Sequence, residues 1–143
     1  MRCVNRILLV EDNPGDAQLV RMALTEALPS ARLSVVGDGE AALSRLQDDP
    51  PDLMLLDLNL PRLSGHEVLA AVRAAGDPAL RRLPVVVLTS SDAASDVERS
   101  YELGASSHVT KPSDVDALFA VVETLARYWF ATVTLPGGTA APR

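Results

Sequence analysis

Cysteine is nearly absent. Cys3 is the one thiol in 143 residues, so no intrachain disulfide can form, and two-cysteine redox motifs and cysteine-rich zinc sites are excluded. Positive charge is in deficit. Thirteen Lys and Arg stand against nineteen Asp and Glu, a formal charge of −6. Affinity for nucleic acid rests on neutralising phosphates with Lys and Arg, so nucleic acid is not an expected partner. Long apolar runs are missing as well. None approaches the roughly 20 residues of a membrane span, and the N-terminus has no apolar stretch of the secretory kind, so the expected compartment is the cytoplasm. Aromatic residues number only five: two Tyr, two Phe and one Trp. The length suits one domain with its own core and leaves little room for a second.

What is present is an alternation of short apolar runs with helical segments. Ile7-Leu8-Leu9-Val10 breaks off at Glu11-Asp12. Without polar alternation, such a run reads as a strand buried on both faces, as in parallel sheets. Asn13-Pro14 supplies a cap and a first-turn proline for a helix that Pro29 stops. Residues 32–36 form a second strand and 40–46 a short helix. Leu53-Met54-Leu55-Leu56 is a third strand ending on Asp57, followed by a loop and a helix over 65–75. Pro84-Val85-Val86-Val87-Leu88 is a fourth, ending on Thr89-Ser90-Ser91, with a helix over 92–103 and Gly104 as its C-terminal stop. Residues 107–110 form a fifth strand ending on Lys111-Pro112. A long helix over 114–131 directs Val115, Leu118, Phe119, Val122, Leu125 and Trp129 inward. The segment 136–143 has no periodicity and is expected to be disordered.

Five strands and five helices in strict alternation predict an α/β fold: one doubly wound sheet of five parallel strands with helices on both faces. Ligands of such sheets bind at the carboxyl ends of the strands. Those ends carry Glu11 and Asp12, Asp57, Thr89 and Ser90, and Lys111. Three crowded carboxylates repel one another, and a hard divalent cation relieves the conflict. Asp57 with Asp12, Glu11 acting through water and the backbone carbonyl of Asn59 suit Mg²⁺. A charge-balanced Asp57 can then act as a nucleophile and form an acyl phosphate. Lys111 pairs with a phosphoryl oxygen, and the Thr89 hydroxyl donates to another and can serve as a trigger. An enzyme hydrolysing an aspartyl-phosphate typically needs a second acid two residues after the nucleophile. Asn59 stands there, which favours a phosphoacceptor switch over a phosphatase.

In this order and on these strand ends, Glu11-Asp12, Asp57, Thr89 and Lys111-Pro112 resemble the receiver domain of two-component response regulators, from residue 7 to about 127. The resemblance implies the flavodoxin-like strand order 2-1-3-4-5. It implies a receiver domain over 1–131 followed by an arm and tail over 132–143. Asp57 is implied to accept a phosphoryl group from a sensor histidine kinase. Glu11, Asp12, Asp57 and Asn59 are implied as Mg²⁺ ligands, with a cis peptide between Lys111 and Pro112. Glu11-Asp12-Asn13-Pro14-Gly15-Asp16, Asp57-Leu58-Asn59-Leu60-Pro61 and the closing Tyr128-Trp129-Phe130 further resemble the stand-alone regulators that partner phytochrome-type kinases. Two positions depart from the common pattern. Ser90 replaces a small alanine after the switch hydroxyl. His108 stands where many receivers carry an aromatic, three residues before the lysine, so the switch coupling is either lost or carried by imidazole. His66 is expected to be solvated, and Cys3 an ordinary reduced thiol. Consecutive helical side chains point about 100° apart, so Tyr128, Trp129 and Phe130 cannot all be buried. They mark the expected face of a homodimer, formed by the last helix and the arm after it.

Overall fold

The computed structural model describes residues 6–136; Cys3 and, apart from Pro136, the expected disordered segment 136–143 lie outside them. Strands β1 (Arg6–Val10), β2 (Arg32–Val36), β3 (Leu53–Leu56), β4 (Val85–Thr89) and β5 (Ser107–Thr110) form one sheet in the order 2-1-3-4-5, as expected. Every pairing is parallel. The helices are α1 (Pro14–Ala27), α2 (Gly39–Asp48), α3 (Gly65–Arg73), α4 (Pro78–Arg81), α5 (Ala94–Glu102) and α6 (Val115–Ala131). The short α4 is one more than the periodicity indicates. Four residues are too few to show a period, and its signal is local: the Asp77 side chain accepts from the Ala79 N–H, with Pro78 in the first turn. None of the described helices is long and apolar enough to cross a membrane.

Side chains alternate across a strand, so each uninterrupted apolar run serves two cores. Ile7, Leu9, Leu53, Leu55, Val86 and Leu88 pack under α1 and α6, against Val20, Leu24, Leu118, Val122 and Phe130. Leu8, Val10, Met54, Leu56 and Val85 pack on the other face, against Ala42, Leu46, Val68, Leu69 and Val72 of α2 and α3. On α6 the buried positions are Leu118, Val122, Ala126 and Phe130, an i, i+4 row. Val115, expected to point inward, is 49% exposed, because it opens the helix ahead of that row. The chain beyond α6 turns back onto the sheet. The Val133 N–H donates to the Tyr128 carbonyl at 3.0 Å, and Leu135 is buried in the α1/α6 core.

The strand ends are fixed by backbone bonds that run past the last paired residues. Glu11 N–H donates to the Val36 carbonyl at 3.0 Å, Asp57 N–H to Val10 at 3.0 Å and Lys111 N–H to Thr89 at 2.7 Å. The sheet ladder therefore continues into the residues that carry the chemistry.

Candidate functional site

Glu11, Asp57, Thr89 and Lys111 converge at the carboxyl edge of the sheet. Glu11, Asp57 and Thr89 are buried, and the Lys111 side chain is 6% exposed. The lysine ammonium is the hub. Its Nζ donates to Glu11 Oε1 at 2.7 Å, to Asp16 Oδ2 at 2.8 Å and to Asp57 Oδ2 at 3.3 Å. Glu11 Oε2 also accepts from the Asn13 N–H at 3.2 Å, and Asp57 Oδ1 from the Asn59 N–H at 3.3 Å. Asp12 is exposed at the mouth. Glu11, Asp12 and Asp57 each bring a carboxylate oxygen within 4.8 Å of the others.

The two buried acids are pushed in opposite directions. Burial raises Glu11 to about 7; the Lys111 hydrogen bond opposes this, and the neighbouring Asp57 adds to it. Asp57 lies below its ordinary value. Burial works against ionisation, but hydrogen bonds from Glu11 and Thr89 and the Lys111 charge outweigh it. Of the two acids Glu11 is therefore the first to take up a proton as pH falls, while the Asp57 carboxylate stays ionised and nucleophilic. Lys111 is raised despite burial, through its bonds to Asp16 and Glu11, and stays cationic.

A stability trend follows. Glu11 has a folded pKa above its ordinary 4.5, so the folded state holds a proton that the unfolded chain releases. That contribution is full below pH 4.5 and is lost as pH rises through about 7. The metal-free protein is expected to lose stability between those values, and Glu11→Gln to remove most of the slope. Denaturant unfolding across the pH range checks this; an unchanged slope in the variant assigns it to other groups.

The donor set fits a hard divalent cation. Among the described residues the three carboxylates offer oxygen only, with no histidine or thiolate grouped with them, which suits Mg²⁺ or Mn²⁺.

Other expected residues fall in less expected places. Ser90 is exposed and lines a small cleft with Asp16, Lys111 and Pro112. The Lys111–Pro112 peptide is trans, not cis; no cis peptide occurs among the described residues. Trans is the intrinsically preferred isomer even before proline, by about 0.5–1 kcal/mol. His108 lies in a separate polar network. Its Nε2 donates to the Ser91 carbonyl at 3.1 Å, and its Nδ1 lies 3.0 Å from Ser100 Oγ. His66 Nε2 reaches the same hydroxyl at 3.1 Å, so this histidine is not simply solvated; burial lowers its pKa. Imidazole at position 108 thus ties β5 to the loop after β4, two residues beyond Thr89. Of the aromatic triplet, Tyr128 is 52% exposed and meets Trp129 edge-on at 5.3 Å, whereas Phe130 is 2% exposed. Phe130 is thereby removed from the expected dimer face, because it continues the buried row of α6.

Sequence reasoning missed Asp16 and Gly65. Gly65 opens α3 directly against the Asp57 backbone, where an added Cβ would lie 2.2 Å from the Asp57 carbonyl oxygen. The absence of a side chain there lets the loop carrying Asp57 close onto the helix. The available signal for Asp16 was its place in the first turn of the helix that opens directly after the Glu11-Asp12 pair.

Residues 7–123 match the family model described as the response regulator receiver domain. The chain belongs to the receiver-domain family. Among receiver proteins, it is 42% identical over 137 residues to response regulator Rcp1 of Synechocystis sp., covering 91% of this chain and 92% of that protein. The Mn²⁺-bound structure of Rcp1 superposes with a TM-score of 0.86 at 41% identity, covering 93% of this chain and 99% of the other. The phosphorylated cyanobacterial phytochrome response regulator RcpA superposes at 0.89 and 38% identity, covering 94% and 100%. The receiver domain of the Pseudomonas aeruginosa sensor histidine kinase PA1611, solved with magnesium in its active-site cleft, gives 0.71 at 28% identity, covering 85% and 97%.

Proposed function

We propose that this receiver protein is a phosphoacceptor switch that takes a phosphoryl group on Asp57 from a sensor histidine kinase and signals through protein contacts. One observation carries the reading: an ionised, buried Asp57 held between a hydroxyl and a lysine. An Asp57 carboxylate oxygen attacks phosphorus, the P–N bond to the kinase histidine breaks, and the electron pair leaves on the imidazole nitrogen. Hydrolysis later returns the carboxylate and inorganic phosphate. Lys111 and the Thr89 hydroxyl face the oxygens of the transferred group, and Ser90 and His108 sit on the elements that respond to it. Phosphoryl transfer asks mainly for positioning and positive charge. Glu11, Asp12 and Asp57, with the Asn59 carbonyl, would hold Mg²⁺, which supplies charge neutralisation at the phosphoryl oxygens. With Asn59 in place of a second acid, the protein acts on its own acyl phosphate rather than on external substrates. The compartment that fits a kinase-coupled switch of this composition is the cytoplasm.

The likeness to RcpA supports a phytochrome-type kinase as the donor. The exposed Tyr128 and half-buried Trp129 support a homodimer through α6 and the following arm, with both side chains at its surface. Trp129→Ala is expected to shift the mass by light scattering from dimer towards monomer; an unchanged mass removes the face.

The decisive experiment is intact-mass spectrometry after incubation with Mg²⁺ and a small-molecule phosphodonor, beside Asp57→Asn. A single phosphoryl adduct is expected in the wild type and none in the variant. An adduct that persists in Asp57→Asn overturns the assignment.

A further inference from the structure

Lys111 has three N–H donors, and each faces a carboxylate: Glu11, Asp16 and Asp57. A phosphoryl group on Asp57 brings further oxygens that need the same ammonium, so one existing partner must give way. Exposure decides which. The side chains of Glu11 and Asp57 are 3% and 7% exposed, whereas that of Asp16 is 37% exposed. Releasing a buried carboxylate strands a charge away from water, while releasing Asp16 returns a charge to solvent. Asp16 is therefore the exchangeable partner. It is also firmly placed, since its own N–H donates to the Asn13 side chain at 3.0 Å, fixing the first turn of α1 beneath the carboxylate.

We propose that Asp16 is a positioning residue that competes with the phosphoryl group for Lys111 and so biases the switch towards its unphosphorylated state. The inference rests on the reading of Asp57 as the phosphoacceptor. In the resting protein Asp16 holds the ammonium to one side and adds a negative charge at the mouth that an anionic donor must approach. In the phosphorylated protein the same carboxylate still draws on Lys111 and weakens its hold on the phosphoryl oxygens. Both effects have one sign. Removing the charge speeds phosphorylation and lengthens the lifetime of the acyl phosphate. A residue serving only to shape α1 has no reason to move both in favour of the phosphorylated form.

The test follows phosphorylation by acetyl phosphate with Mg²⁺, and then loss of the phosphoryl group after donor removal, by intact mass. It compares the wild type with Asp16→Asn, Asp16→Glu and Asp92→Asn. Asparagine keeps the backbone bond to Asn13 and loses the charge. Glutamate keeps the charge. Asp92, on the exposed loop after β4, carries a carboxylate with no bond to Lys111. Asp16→Asn is expected to raise the phosphorylation rate and the lifetime about two- to fivefold each, the range a partly exposed ion pair supplies. Asp16→Glu and Asp92→Asn are expected to stay at wild-type values. An unchanged or reduced rate and lifetime in Asp16→Asn overturns the inference, as does an equal gain in Asp92→Asn or in Asp16→Glu. A wild type that takes no phosphoryl group on Asp57 overturns the phosphoacceptor reading itself, and this inference with it.

Discussion

Replacing Lys111 by alanine is expected to destabilise the metal-free protein by about 3–5 kcal/mol, the cost of leaving buried charge without its partner. The magnitude follows from the arrangement. Glu11 and Asp57 are almost fully enclosed, and the ammonium is within hydrogen-bond reach of both. Without it the two acids face each other across a cavity, and at least one must take up a proton or drag water inward. Added Mg²⁺ is expected to restore most of the lost stability, because a divalent cation balances the same carboxylates. It is not expected to restore phosphoryl transfer, which also needs a donor aimed at the transferred oxygens. Denaturant unfolding with and without Mg²⁺, set beside intact-mass phosphorylation, separates the two roles. A stability loss that Mg²⁺ leaves untouched would place the damage in packing rather than charge.

Phe130→Ala should cost about 3–5 kcal/mol, as large aromatic truncations in closed cores do. Tyr128→Ala, two positions away, should cost the monomer no more than about 0.5 kcal/mol, as a substitution exposed in the single chain. Phe130 is 2% exposed and closes the α1/α6 core beside Leu135, whereas Tyr128 is 52% exposed. The contrast, measured by unfolding midpoints, reads the rotation of α6 about its own axis. Equal costs at the two positions would mean that the helix sits differently on the sheet.

The apolar runs were enough to place β1, β3 and β4, because a strand covered on both faces has no polar alternation to confuse with a helix; β2 and β5, the half-buried edge strands, rested on the stops that follow them, Gly37-Asp38-Gly39 and Lys111-Pro112. Asn13 and Pro14 placed the start of α1; in the structure Asp38, Ser64 and Asp114 likewise accept from a backbone N–H of the helix they open. The acid, hydroxyl and lysine at the strand ends were legible because the strand ends were. What was not legible depended on which way side chains turn. Phe130 and Tyr128 are equally apolar-looking neighbours, and only the packed helix tells one from the other. His108 and His66 share one buried hydroxyl although 42 residues separate them in the chain, and no local pattern announces such a meeting. Asp16 stands in the first turn of α1, where the helix dipole alone would favour an acid. Its bond to Lys111 spans 95 positions.

Glu11 and Lys111 lie 100 residues apart and touch at 2.7 Å. Contacts of that sequence separation form late, since the whole intervening chain must be ordered before its ends meet. A growing chain that has finished β1 and β3 already carries the acids, but it has no lysine to set between them until β5 pairs at the sheet's far edge. Competence to be phosphorylated therefore arrives with the final strand and marks the completion of folding. A chain arrested before that point is silent to a phosphodonor, however much of its sheet has formed.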